Sequence, residues 1–184
     1  MPTFYRGAGL DTYWHTNDSR EVGFTARAPD TLPTTAELIT HIATNTMNSP
    51  YVSLTCSYRV AVSYAMLGGR RRPTQEQPAY LYEIQINEPL PIGIRLIDPI
   101  KEIAPILPDP TVEEVHRYQH GGYPNFLLGI VDPRLRSFLA GQPLPSPQLK
   151  ALVRALRDAE ILILGALPAS CVTNRFEIYA HDNP

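Results

Sequence analysis

Apolar and polar positions change period repeatedly along this chain, and each change marks an element. TFYR at 3–6 is a short aromatic run that reads as a strand. TTAELITHIATN at 34–45 reads as a helix, and Thr34 with Glu37 fits a capping box, in which hydroxyl and carboxylate satisfy first-turn amides. YVSLT at 51–55 is β-branched and alternating, hence a strand. SYRVAVSYAML at 57–67 follows as a helix, ended by Gly68 and Gly69. AYLYEIQI at 79–86 alternates cleanly and predicts a strand, and IGIRLI at 92–97 predicts another. TVEEVHRYQ at 111–119 predicts a helix, with Pro110 ahead of it and Thr111/Glu114 as a second capping box. SPQLKALVRALRD at 146–158 predicts an amphipathic helix. Ser146 caps it, Pro147 suits the first turn, and Leu149, Leu152, Val153 and Leu156 form one stripe. ILILG at 161–165 and RFEIYA at 175–180 are the last strands. Helices early and in the middle, with strands dispersed throughout, predict an α+β domain with strongly bent antiparallel sheets.

Composition narrows this picture. The chain has 184 residues, 43% hydrophobic and 18% charged, which is globular rather than disordered. Its 19 prolines cluster at 89–110 and 143–147, where apolar residues continue, so these stretches read as ordered irregular connections. A net charge of -2 and a pI near 6.2 exclude a global attraction to nucleic acid or anionic membranes. No run of eighteen apolar residues exists, so no membrane-spanning helix is expected. MPTFYRGAGL lacks a basic region followed by an apolar one, so no cleaved secretory signal is expected and the site of action is a cytoplasm, its own or a target cell's. Cys56 and Cys171 are too few for a disulfide framework and are expected as buried free thiols.

Three fragments carry candidate chemistry. In FYRG, Arg6 on a short strand is either a surface arginine or a guanidinium fork for phosphate, with Gly7 letting a ligand approach the backbone. In SPYVSLTCSYRVAVSYA, Ser53 and Thr55 share one face of a strand, and a helix rich in small residues follows. In DAEILILGALPAS at 158–170, Asp158 and Glu160 stand at the mouth of an apolar strand, where acids are poor formers.

In this order the fragments resemble the mono-ADP-ribosyltransferases of the cholera-toxin, Arg–Ser–Glu type. Arg6 matches the signature arginine, YVSLTCS the Ser-Thr-Ser strand with Ser53 at its first serine, and Glu160 the catalytic glutamate. Leu54 and Thr55 depart from the second and third residues of that strand. The third match runs without a gap through Gly165, Pro168 and Ser170, whereas 98–157 matches nothing. The resemblance implies a single domain over 1–184, with two bent, mostly antiparallel sheets around an NAD cleft, flanking helices, and a helical, proline-rich insertion at about 98–157.

It also implies a chemistry. NAD is the co-substrate and no metal is required. Arg6 neutralises the pyrophosphate, with Gly7, Thr55 and His41 also at the NAD pocket. Breaking the nicotinamide–ribose bond develops an oxocarbenium-like cation, as in glycoside cleavage, and Glu160 stabilises it through the ribose 2′-hydroxyl. Ser53 positions Glu160. Asp158 stands where the family's acceptor-facing residue lies. A glutamate there accompanies arginine acceptors and a glutamine accompanies amide or guanine acceptors; an aspartate keeps the charge with a shorter reach.

The implied partners are NAD and a macromolecular acceptor, protein before nucleic acid, with no membrane, and for a toxin an immunity or antitoxin protein. ADP-ribosylation of a nucleic-acid base or ribose, NAD glycohydrolysis and an inactive binding module stay open. Glu113 and Glu114 are a rival pair, but Glu114 is already explained as a cap. Helix-spaced His116 and His120 have no companion ligand in the sequence. Arg70, Arg71 and Arg72 read as a solvated basic loop, or as a loop closing over NAD. Tyr5, Tyr51 and Tyr64 are candidates for stacking on a ring of NAD.

Overall fold

The computed structural model describes residues 2–44, 48–107 and 146–180. Six strands form one sheet: β1 (Thr3–Ala8), β2 (Tyr51–Thr55), β3 (Ala79–Gln85), β4 (Arg95–Ile97), β5 (Glu160–Leu164) and β6 (Val172–Ile178). Their order is β4-β5-β2-β1-β3-β6, with every pairing antiparallel. β1 pairs with β3 from Thr3↔Gln85 to Ala8↔Tyr80, and β2 with β5 from Tyr51↔Leu164 to Thr55↔Glu160. Between β1 and β2 the register is a single pair, Tyr5↔Thr55. The domain is α+β as expected, and the two expected sheets are two three-stranded halves of one hydrogen-bonded sheet, joined at that seam.

Alternation along β2 and β5 explains the two cores. Val52, Leu54 and Ile163 face a cluster with Phe4, Phe24, Tyr82, Ile84 and Leu167. Tyr51 and Leu162 face a second cluster with Leu38, Ile42, Ile103, Ala151 and Ala155. Ser53 and Thr55 share the face of Tyr51, and Glu160 shares that of Leu162, so all three lie on the side of the second cluster. Helices cover that side: α3 (Thr35–Ala43), α5 (Pro99–Ile103) and α6 (Pro147–Asp158). Two one-turn helices, α1 (Tyr13–Thr16) and α2 (Ser19–Val22), lead into α3, and α4 (Tyr58–Leu67) lies on β1.

The helix ends follow their residues. Thr34 accepts from the Glu37 amide at 3.1 Å, Ser57 from Val60 at 3.3 Å and Ser146 from Leu149 at 3.2 Å. The first capping box is half made, because the Thr34 amide donates to the Leu32 carbonyl at 2.9 Å.

Three expectations change, and one helix is new. The buried face of α6 is Leu149, Ala151, Ala155 and Asp158, while Leu156 is 56% exposed. Small alanines let α6 approach α3 closely, which a stripe of leucines does not. Strand β4 is shorter than IGIRLI, because Gly93 turns the chain at φ +83°. Asp98 then caps α5 through Ile100 at 3.0 Å and Lys101 at 3.4 Å, a helix too short to show a period. Both cysteines are free, but Cys56 is exposed in the turn after β2 and only Cys171 is buried. The predicted helix at 111–119, the Glu113/Glu114 pair, His116 and His120 lie outside the described residues, as does most of the expected insertion.

Candidate active site

A cavity of about 420 Å³ opens at the seam, a size usual for small-molecule sites. Arg6, Gly7, His41, Ser53, Thr55, Asp158 and Glu160 all line it, although they come from four separate segments of the chain. Arg6 crosses the seam and donates to the Ser53 carbonyl. Its guanidinium also stands 5.6 Å from the centre of the Phe24 ring. Burial brings the Arg6 pKa down to about 10, against the pull of Glu160. Arg6 Nε is buried with no hydrogen-bond partner among the described residues, an orphan donor suited to an anionic oxygen.

Glu160 begins β5 and is 8% exposed. Burial pushes its carboxyl up to about 7; the nearby Ser53 hydroxyl and the charges of Arg6 and Arg157 oppose this, while Asp158 adds to it. The Ser53 hydroxyl also lies 2.7 Å from His41 Nε2, and His41 Nδ1 lies 2.5 Å from the Ser49 hydroxyl. His41 is 4% exposed. Burial, and then the charge of Arg6, push its pKa down to about 4, so the ring is neutral near pH 7.

Asp158 is only two residues from Glu160, yet its surroundings differ. It ends α6, and Ala159, left-handed at φ 45°, turns the chain into β5. Asp158 Oδ1 accepts from Arg157 Nε at 2.6 Å. Its Oδ2 accepts from Arg157 Nη2 at 2.5 Å and from the Tyr64 hydroxyl at 2.7 Å. Burial, and then the bond to Asp158, raise the Tyr64 phenol above its ordinary pKa. Asp158 therefore lines the cavity with its carboxylate already held by a guanidinium fork and a phenol.

Two further lining residues, Thr55 and Gly7, also hold the elements together. The Thr55 hydroxyl donates to the Asp158 carbonyl at 2.5 Å and accepts from the Ser57 amide at 2.9 Å, which ties β2 to the end of α6. At Gly7 the room for a side chain is filled by α4: an added Cβ would meet Ala61 O at 2.2 Å and Ala65 N at 2.5 Å. The glycine thus admits a helix on its Cβ side, while the residue also lines the cavity. Tyr51 is buried and donates to the Thr34 carbonyl at 3.2 Å, so it is no stacking platform. Arg71, in the basic loop, pairs with Asp11 at 2.9 Å. Among the described residues, no cluster of three His, Cys, Asp or Glu side chains is placed to hold a metal.

Sequence reasoning missed Ser49, Arg154 and Arg157. Arg154 donates to the Ala43 carbonyl at 2.9 Å and lines the cavity beside Arg157. Its position on α6, one turn before Asp158, was the available signal.

No protein-family model matches this chain, and no curated protein matches it. Solved chains similar to it include full-length CARDS toxin and nicked CARDS toxin, each at a TM-score of 0.47 and 18% sequence identity. The match covers 96% of this chain, 24% of the full-length toxin chain and 25% of the nicked one. This chain thus spans about a quarter of the length of the chains it matches.

Proposed function

We propose that this chain is a mono-ADP-ribosyltransferase of the Arg–Ser–Glu type, transferring ADP-ribose from NAD to a macromolecular acceptor. The observation that carries the reading is the meeting of Arg6, Ser53 and Glu160 in one cavity from segments far apart in sequence. Bound NAD supplies the scissile nicotinamide–ribose bond. The orphan Nε of Arg6 and its retained charge suit the pyrophosphate. Glu160, in its ionised form, accepts a hydrogen bond from a ribose hydroxyl and offers negative charge where the ring becomes cationic. Low exposure strengthens that field, and Ser53 fixes the direction of the carboxylate.

A protein arginine is the leading acceptor, with Asp158 as its holder. Arg157 already occupies Asp158, so an incoming guanidinium must displace it. That observation favours a second reading, in which water is the acceptor and the chain is an NAD glycohydrolase.

The test is incubation with labelled NAD and separated protein, RNA and DNA fractions, following nicotinamide release and label together. Release with label in protein supports transfer, and release without label supports hydrolysis. No release from NAD overturns both.

A further inference from the structure

The hydrogen bonds at His41 have only one consistent direction when Glu160 is ionised. Ser53 and Glu160 line the same cavity, and a carboxylate only accepts, so the Ser53 hydroxyl can serve Glu160 only as a donor. Ser53 Oγ, 2.7 Å from His41 Nε2, is then the acceptor of that contact, so Nε2 carries the proton. The neutral ring has one proton, which leaves Nδ1 as a bare acceptor. Ser49 Oγ, 2.5 Å from Nδ1, must therefore donate. Its oxygen is independently held by the Tyr51 amide, which donates to it at 3.1 Å and leaves the hydroxyl proton free for the ring.

We infer that Ser49 is a positioning residue for the catalytic carboxylate, setting the tautomer of His41 and through it the direction of the Ser49–His41–Ser53–Glu160 array. This rests on the proposed role of Glu160. Ser49 is 2% exposed and does not line the cavity, so it has no access to a substrate. In the reversed array His41 Nδ1–H would donate to Ser49, whose hydroxyl would then need another acceptor; the Tyr51 amide is a donor and gives none. Tyr51 also meets the His41 ring edge-on at 5.8 Å between centroids, which limits rotation of the ring. The serine just before β2 thus biases the array toward a donor aimed at Glu160.

The test reads the array by ring-¹⁵N NMR of histidine, with His41 assigned by loss of its signals in His41→Gln. The parent should show a neutral, Nε2-protonated ring at about pH 8.5, where Glu160, with a folded pKa of about 7, is ionised. A Nδ1-protonated or charged ring would overturn the inference, whether or not any variant folds. Ser49→Ala should mix the tautomers and lower kcat for nicotinamide release roughly tenfold, with KM for NAD nearly unchanged. Ser49→Thr, which keeps the hydroxyl, should restore the Nε2–H tautomer and most of kcat. An unchanged tautomer and kcat in a folded Ser49→Ala, or a rise in KM alone, would reject the positioning role. Failure of the underlying reading is distinguishable: Glu160→Gln would then release nicotinamide at the parent rate, while the tautomer of His41 is still read directly.

Discussion

The two halves of the sheet have the same number of strands and contribute different chemistry. The β1-β3-β6 half is built on aromatic residues such as Tyr82 and Phe4, and gives the cavity a cation, Arg6. The β4-β5-β2 half, under α3 and α6, gives it both carboxylates, Asp158 and Glu160, together with Ser53, His41, and Arg154 and Arg157 of α6. Neither half contains the site. Where they meet, the ladder narrows to Tyr5↔Thr55, and side chains take over the crossing. Arg6 reaches the Ser53 carbonyl from one side, and Tyr64, on the helix packed against β1, reaches Asp158. The contrast teaches that cation and carboxylates are brought together by the docking of two apolar units, and their charges oppose each other across a place where the backbone leaves room.

The largest effect should come from neutralising the carboxylate at the start of β5. Glu160→Gln keeps the shape and should cut nicotinamide release by about a hundredfold or more, while the protein still folds. Release at the parent rate would remove Glu160 from the chemistry. On the other half, Arg6→Lys keeps the charge but loses the planar fork, and should raise KM for NAD roughly tenfold with a smaller change in kcat. A fall in kcat at unchanged KM would show that both halves act on the transition state alike. Asp158→Asn should reduce transfer to a protein acceptor severalfold more than hydrolysis of NAD, measured side by side. Equal losses would move Asp158 to NAD binding, and label found only in nucleic acid would exclude the arginine acceptor.

The smallest effect is on stability against pH. The folded pKa of Glu160 is raised to about 7, so its contribution is fully present below about 4.5 and is lost as pH rises through 7. His41 is depressed to about 4, so its contribution is present above about 6.5 and is lost as pH falls through 4. Each is worth at most about 3 kcal/mol, and between pH 4.5 and 6.5 they oppose each other. Chemical denaturation of the parent should therefore show little slope from this pair. Glu160→Gln should leave the His41 slope exposed, with stability rising with pH more steeply than in the parent. The same slope in both proteins would mean that Glu160 is not held up by burial.

Much of this was legible in the chain because it is local. Alternation predicted the strands, Thr34, Ser57 and Ser146 are residues that cap helices, and three short fragments held Arg6, Ser53 and Glu160. What was not legible depends on contacts distant in sequence or on exceptions to periodicity. The seam is a pairing between segments some fifty residues apart, and no pattern in either strand announces that it stops after one pair. Neighbouring helix residues point about 100° apart, so Arg157 was no obvious partner for Asp158. At the last turn of α6 the chain leaves the helix through Ala159, and the two side chains meet. Ser49 sits ahead of the strand pattern, and its use is visible only once α3 brings His41 beside it.

Gly7 gives the seam its tolerance, in the sense an instrument maker would use the word. Main chain rests on main chain there, and the Tyr64 Cβ stands 3.0 Å from where a side-chain carbon would be. Side-chain contacts can absorb an error by changing rotamer, but backbone contacts cannot. The distance from β1 to the Tyr64 hydroxyl, and from that hydroxyl to Asp158, is therefore fixed by a residue with nothing to adjust. A methyl group at Gly7 would lift α4 and detune Tyr64 from a carboxylate that belongs to the other half of the sheet, without touching a single charged group.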